Sequence, residues 1–338
     1  MMTIPSVTRA DVTPFDPHAA TPEQRLAVGQ LLADAFAFAV PNDPPLLPEK
    51  EAVMLTWVEP DERLEQFVVW QDDQALAWSR VFYELRENTH VAMIRIVVHP
   101  KARRVGLGTR LWAAARKVAV RESRTVILGM TSSRSPAGEA FARHVGAEAA
   151  LPNRQSELDL EALDAGLLTL WKTRPDGDPY QLHVWHTIPD EYLERMAEMM
   201  MVMNTAPRGD LDVEDSTVTP QTIRAGEAMD AGAGYQHLRM AVEDVRSGQL
   251  DGFTEMFYQP ERAVMLYQGA TAVRPAARGQ GLGKWLKAAM LERARTEFPL
   301  ARCLRTDNAE VNDAMLGINV ALGFKECASN TSWQLKLS

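Results

Sequence analysis

The chain has little of what marks several large classes of protein. Among its 338 residues there are two cysteines, Cys303 and Cys327. Two cysteines build no disulfide framework, and their spacing is not that of a zinc site; a reduced, cytoplasmic setting is expected, and no metal. No apolar run approaches the ~18 residues of a membrane span. Met1–Thr13 carry no basic stretch followed by an apolar core, so no secretory leader is expected. Basic residues are in deficit, 36 Lys and Arg against 45 Asp and Glu for a net charge of −9, which argues against a nucleic-acid-binding surface as the main function. Two familiar phosphate fingerprints are also missing. A dinucleotide motif needs a third glycine where the chain has Leu111 (counting from Gly106) or Leu286 (counting from Gly281). A P-loop needs Ser or Thr after Gly283-Lys284, where Trp285 stands, and a glycine at position 278, which is Arg.

What is present is ordinary globular composition, 46% hydrophobic and 24% charged. The length favours about two domains. A duplicated stretch stands out against this background. Val98-His99-Pro100-Lys101-Ala102-Arg103-Arg104-Val105-Gly106-Leu107-Gly108 returns as Val273-Arg274-Pro275-Ala276-Ala277-Arg278-Gly279-Gln280-Gly281-Leu282-Gly283, every matched position displaced by 175 (273 − 98 = 175; 283 − 108 = 175). Each copy joins a β-rich run to a helical pattern through a Pro, an Arg and two shared glycines. Glycines allow positive φ and a close approach of backbone to ligand. The first amides of the following helix lack intrahelical partners and sit at the positive end of its dipole. Such a turn makes a concavity for an anion such as a pyrophosphate, and Arg103 or Arg278 at its rim suits the same charge.

Arg-x-x-Gly-x-Gly between a strand and a helix resembles the pyrophosphate loop of the GNAT superfamily of acyl-CoA-dependent N-acetyltransferases, and the resemblance covers most of both halves. It implies α/β (α+β) architecture: two tandem GNAT-type domains, expected at 1–175 and 176–338, each a mixed, mostly antiparallel sheet flanked by helices. It implies acetyl-CoA (coenzyme A) as donor. Arg103, Arg104, Val105, Gly106, Leu107, Gly108 and Thr109 would hold the pyrophosphate in the first half. Arg278, Gly279, Gln280, Gly281, Leu282, Gly283 and Lys284 would do so in the second. The strands Ile96, Val97, Val98 and Thr271, Ala272, Val273 would pair with the pantetheine arm and offer a backbone N–H to the thioester oxygen.

Local signals fill in the elements. Thr8–Val12 is a candidate first strand, and Thr21, Pro22 and Gln24 form a capping-box start for the next helix. A second helix is expected near Lys50–Val58, then strands at Gln66–Gln71, Ala75–Tyr83 and Val91–Val98. Beyond the loop follow a helix, a strand at Thr125–Met130, a helix from Pro136, and Ser156–Leu160 to close the half. Arg174–Pro179 reads as the linker. The second half repeats the plan, with strands at Leu182–His186, Arg239–Asp244, Gly252–Tyr258, Val264–Val273 and Arg302–Thr306. Phe324–Glu326 and Trp333–Leu337 are its closing strands. Met196, Met199, Met200 and Met203 form an apolar stripe, read as core rather than as a pliable substrate wall.

Amine acylation needs removal of a proton, stabilisation of an oxyanion and protonation of a leaving thiolate. In the second half Asn312 precedes Gly323 by eleven residues, the family spacing for a pantetheine contact. The Tyr often used as acid would fall at position 319, which is Asn319; the first half has Ser135 and Ala142 at the matching places. Asn308 is either a helix cap or a second polar contact. Glu255 is the best candidate base, acting through a water, against the alternative of a solvated strand residue; Glu243 and Tyr258 are weaker candidates. The acidic stretch Asp210, Asp212, Glu214 and Asp215 is expected beside the second acceptor cleft, drawing in a cationic amine. Three functions remain open: an N-acyltransferase acting on a primary amine of a small molecule with the second half catalytic, a non-catalytic CoA-binding scaffold, or two active sites with different acceptors.

Overall fold

The computed structural model describes residues 11–337. Most of the expected first strand, Thr8–Ala10, lies outside them; a strand is seen at Val12–Pro14. In chain order the elements are β1 (Val12–Pro14), α1 (Pro22–Ala39), α2 (Pro48–Met54), β2 (Glu62–Gln71), β3 (Gln74–Glu84), β4 (Val91–Val98), α3 (Leu107–Arg121), β5 (Val126–Ser132), α4 (Pro136–His144) and β6 (Glu148–Asp159). They continue with α5 (Ala165–Lys172), β7 (Tyr180–Trp185), α6 (Leu193–Met200), α7 (Pro220–Gly232), β8 (Gln236–Asp244), β9 (Gln249–Tyr258), β10 (Met265–Val273), α8 (Leu282–Glu297), β11 (Cys303–Ala309), α9 (Asp313–Leu322) and β12 (Lys325–Lys336). The capping box at Thr21 forms as expected, its hydroxyl accepting from Gln24 N while Gln24 Oε1 accepts from Thr21 N. Thr219 and Thr222 make a second one ahead of Pro220.

These elements form two compact units, and neither is one stretch of sequence. Residues 11–151, 210–215 and 330–337 make the first; 152–209 and 216–329 make the second. The expected cut at 175 is therefore corrected. In the first unit β1, β2, β3 and β4 pair antiparallel in succession and β4 pairs parallel with β5. Beyond β5 the antiparallel partner is Asn330–Lys336 of β12. In the second unit β7, β8, β9 and β10 are antiparallel and β10 is parallel to β11. The antiparallel partner of β11 is Asn153–Asp159 of β6. Each unit is thus completed by the closing strand of the other half. Sequence period marks a residue as strand but does not say which edge it will join, since ladder bonds are generic backbone bonds. The anticipated linker is also within the second unit, where Arg174 ion-pairs with Asp178 and donates from NH1 to Gln280 O at 2.9 Å.

Each sheet has two covered faces. In the second unit Leu238, Met240, Val242, Met256 and Leu266 face α8 and α5, while Ala241 and Phe253 face α6 and α7, with fully buried Met196 and Met199. These two methionines are core, as read; Met203 is exposed. In the first unit Val68 and Trp78 face α1 and α2, and Val81, Ala92 and Ile127 face α3.

Lys287 is the exception inside α8. It is 2% exposed, its Nζ 5.8 Å from the Phe324 ring centroid, and desolvation lowers its pKa to about 7. The folded value lies below the unfolded one, so the unfolded chain binds more protons between them, and stability rises with pH from about 7 towards ~10.4. Lys287→Met should abolish that slope and raise stability at pH 7 by about 3–5 kcal/mol at most, checked by urea unfolding at a series of pH values.

Candidate active site

The site begins with a gap in each sheet. The parallel pairing of β10 with β11 runs through Met265–Cys303, Leu266–Leu304 and Tyr267–Arg305 and then stops, although both strands continue. Past that point β10 stays paired with β9 on its other side through Thr271, Ala272 and Val273, after a register shift between Gln268 and Thr271. The outer edge of these residues faces the opening. In the first unit pairing of β4 with β5 stops after Met93–Leu128, which leaves Ile96, Val97 and Val98 at the matching edge. An edge of unpaired amides and carbonyls is a template for an extended, amide-bearing ligand, as the pantetheine arm is.

The duplicated loop follows directly. Gly281 has φ +78° and caps α8; Gly106 has φ +84° and caps α3. The first helical hydrogen bonds of this type are made by Trp285 N to Gly281 O and Arg110 N to Gly106 O. The N–H groups of Leu282, Gly283 and Lys284, and of Leu107, Gly108 and Thr109, therefore open onto the loop. Arg278 Nε donates to Val273 O at 3.1 Å and Arg103 Nε to Val98 O at 3.3 Å. Each Arg thus braces the loop against the end of its strand, and the Arg278 NH2 also donates to Thr205 Oγ1. The loops differ at one backbone position: Gly279, φ +80°, is matched by Arg104, φ +68°. Thr109, Val105, Gln280 and the glycines fit a polyanion by amide donors and the helix dipole, and the two edges fit the arm, so both loops suit coenzyme A.

Glu255 on β9 is not a solvated strand residue. It is 8% exposed and points to the α6–α7 face beside the parted strands. Its Oε1 accepts from Ala270 N at 3.3 Å, and its Oε2 lies 3.2 Å from His237 Nε2 and 3.5 Å from Arg239 Nε. Burial alone would raise its pKa, but His237, then Arg239 and the Ala270 amide, outweigh that and hold it below the ordinary carboxylate value. Room for it comes from Gly269. A Cβ there would lie 2.8 Å from Glu255 Cγ and 2.7 Å from the Phe257 ring. His237 Nδ1 meets Asp230 Oδ2 at 3.0 Å. Arg239 NH1 donates to Glu227 Oε1 at 3.0 Å. The chain Glu255–His237–Asp230 ends at the wall of two cavities. One, of about 370 Å³, is lined by Asp230, Tyr235, Phe257, Arg262 and Tyr267; the other, of about 410 Å³, is lined in part by Glu227, Asp230, Tyr235, His237 and Glu297.

Sequence reading missed His237, Asp230 and Glu227. The expected strand began at Arg239, whereas β8 begins at Gln236; the pairs His237–Phe257 and Arg239–Glu255 across β8 and β9 were the available signal. Other candidates fall elsewhere. Glu243 is held by His183 and Arg195, and Tyr258 stacks on Phe298 in the α8 core. Asn319, 2% exposed, donates to Asn308 Oδ1 at 2.7 Å, so these two side chains are committed to each other. Asn312 caps α9, its Oδ1 accepting from Met315 N at 3.3 Å, which leaves its Nδ2 for a ligand. The acidic stretch is a correction: residues 210–215 belong to the first unit. Glu214 accepts there from Asn88 N at 2.7 Å, and Asp212 pairs with His90 and Lys336. Leu211 and Val213 pack on Val91, Val126 and Leu128. A solvated acidic loop and a docked one have the same composition.

Comparison with known proteins agrees with this geometry. Residues 27–147 match the acetyltransferase (GNAT) family. Along its whole length the chain is similar to a tandem GNAT protein from the clavulanic acid biosynthesis pathway, at 25% identity and TM-score 0.79, covering 97% of this chain and 98% of that one. It is also similar to a GCN5-related N-acetyltransferase from Sphaerobacter thermophilus, at 15% identity and TM-score 0.64 over 99% and 97% of the two chains. A third similar structure, a GCN5-related N-acetyltransferase from Kribbella flavida, has 15% identity and TM-score 0.53 over 97% and 71%. No curated protein matches it in sequence. Residues 27–147 thus carry an acetyltransferase (GNAT) family match, and the chain as a whole is similar in fold to a tandem GNAT protein. No helix among the described residues is long and apolar enough to cross a membrane.

The loop difference has a measurable consequence. Nothing lies within 4 Å of a Cβ at Gly279, so Gly279→Ala meets only the left-handed backbone and should cost about 1 kcal/mol. Arg104→Ala, which keeps a Cβ already tolerated there, should change stability by less than ~0.5 kcal/mol. Thermal unfolding of the two variants decides it.

Proposed function

We propose that the protein is an acyl-CoA-dependent N-acyltransferase, that acetyl-CoA is its donor, and that its second unit carries the chemistry towards a primary, cationic amine of a small molecule. The observation that carries this reading is the buried, ionised Glu255 at the point where β10 and β11 part, with Gly269 opening space for it. The donor, when bound, supplies an activated thioester. The amides of Leu282, Gly283 and Lys284 and the loop from Arg278 would hold its pyrophosphate, the edge Thr271–Val273 its arm, and Asn312 Nδ2 a polar group along it. Glu255 attracts the ammonium and takes its proton, and His237 and Arg239 hold its charged form in place. Asn319, which donates to Asn308, is not an acid, and a thiolate is a fair leaving group without one. The support for a cationic acceptor moves from the acidic stretch to Glu227, Asp230 and Glu297 around the cavities.

A donor-binding, non-catalytic role is favoured for the first unit by one observation: Arg80 occupies the position matched to Glu255 (80 + 175 = 255). Calorimetry with acetyl-CoA should give a stoichiometry near two; a value of one, unchanged by Gly106→Glu, overturns donor binding by the first unit. In an amine-library assay of CoA release, Glu255→Gln should lower kcat by about 10²–10⁴ with acetyl-CoA affinity unchanged. Because its neighbours hold Glu255 below the ordinary carboxylate value, kcat/KM should rise with pH along the amine's own ionisation, with no falling limb near ~10 from a tyrosine. Gly281→Glu should abolish turnover and Gly106→Glu leave kcat within a few-fold. Full activity in Glu255→Gln, or the reverse order of the two glycine variants, overturns the assignment.

A further inference from the structure

The α1–α2 face of the first unit carries charge opposite to its counterpart. Arg80 on β3 and Arg95 on β4 are Cα partners in the ladder, so their side chains emerge side by side from the same face as Trp78 and Val97. Like charges directly opposite across a ladder destabilise a sheet. Arg95 lies two residues beyond Met93, the last β4 residue paired with β5. It therefore stands where the gap opens, in the position that the Ala270 bulge and Glu255 hold in the second unit.

The two guanidiniums are only partly engaged. Arg95 stacks over Trp78, 5.7 Å to the centroid, and Arg80 over Phe82 at 5.2 Å. Trp78 is itself fixed, its Nε1 donating to Gln66 Oε1 at 2.7 Å while Gln66 Nε2 donates to Leu55 O at 2.7 Å. Arg80 NH2 donates to Trp57 O at 3.3 Å, and its Nε is buried without a hydrogen-bond partner. Arg95 is exposed, and desolvation lowers its pKa. Desolvation also lowers that of Arg80, with Glu62 opposing and Arg95 adding to the effect. Glu62 near Arg80 and Glu51 near Arg95 are the facing carboxylates that act on the pair. Two stacked, planar forks side by side match a carboxylate. They cannot serve as a base for an ammonium.

We infer that Arg80 and Arg95 form a carboxylate-binding site at the mouth of the first unit's strand gap, suited to the carboxylated acyl end of a dicarboxylic acyl-CoA or to a free dicarboxylate. The thioester-borne form rests on the proposed donor binding by the first unit; the free form does not. The probes are succinyl-CoA, acetyl-CoA and succinate, titrated calorimetrically against the full chain carrying Gly281→Glu, with and without Arg80→Gln or Arg95→Gln. The expected result is succinyl-CoA bound about tenfold or more tighter than acetyl-CoA. That preference should be lost in either Arg variant with acetyl-CoA affinity unchanged, and largely kept in Arg95→Lys. Succinate binding that acetyl-CoA does not displace, and that both Gln variants abolish, identifies the free acid as ligand. Equal affinity for the two thioesters together with no succinate binding overturns the site. Absence of acetyl-CoA binding overturns donor binding by this unit and leaves the succinate arm to decide the site. Unfolding midpoints of the Gln variants within a few degrees of the parent exclude loss of fold as the cause.

Discussion

The parting of two parallel strands is the constraint on which each unit depends. After three residue pairs β10 and β11 separate, yet each keeps its antiparallel neighbour. Backbone groups at such an edge, inside a sheet, need partners. A ligand with its own amides can supply them, and the loop that follows the edge is shaped for the anionic end of the same ligand. Arg278 ties the two together by bonding to the carbonyl of Val273, the last residue of the edge. The β9–β10 register shift lies at the same level. It brings Gly269 against Glu255 and turns the Ala270 amide towards that carboxylate. Ligand edge, anion loop and carboxylate are therefore consequences of one departure from regular pairing.

Duplication kept the frame and let its side chains diverge. Gly279 became Arg104 at the same positive φ, a local strain on one copy only. Asn312 caps its helix with a side-chain hydrogen bond, while Ser135 at the matching helix start makes none. Glu255 is matched by Arg80. Under the proposed function, differences of this kind would separate a unit that removes a proton from one that binds without doing so, because the sign of the charge at the gap decides which groups can rest there.

The sequence was most legible where local chemistry decides structure. The glycine turns at the two helix starts and the capping box at Thr21 each act within a few residues of themselves, and both features form as read. Strand limits of β4 were recovered because Val91–Val98 is apolar at every position but Arg95. Legibility failed where distant residues decide. Neither β6 nor β12 says in its own pattern which sheet it will join. The acidic stretch looks solvated, but Leu211 and Val213 give it an apolar underside that packs elsewhere. Glu255 looks like an exposed strand residue until β8 places His237 and Arg239 opposite it. A buried carboxylate is stable only with such partners, and they lie some 16–18 residues away (255 − 239 = 16; 255 − 237 = 18).

A base held below its ordinary pKa is thermodynamically weak, and general-base catalysis works best when the base is matched to the operating pH. Glu255 departs from that optimum because His237 and Arg239 stabilise its charged form. The departure is consistent with the task. An amine acceptor arrives as an ammonium, so a permanently charged carboxylate in a low-dielectric site first attracts it, and only then must a proton leave. Equilibrium retention of that proton on Glu255 is unnecessary when it passes on to water, while His237, held by Asp230, keeps a donor on the carboxylate. Arg239 is meanwhile anchored to Glu227, which keeps its charge beside Glu255 without letting it fill the cavity. The arrangement exchanges basicity at one atom for a fixed field, and fixed fields need no reorganisation as the reaction proceeds.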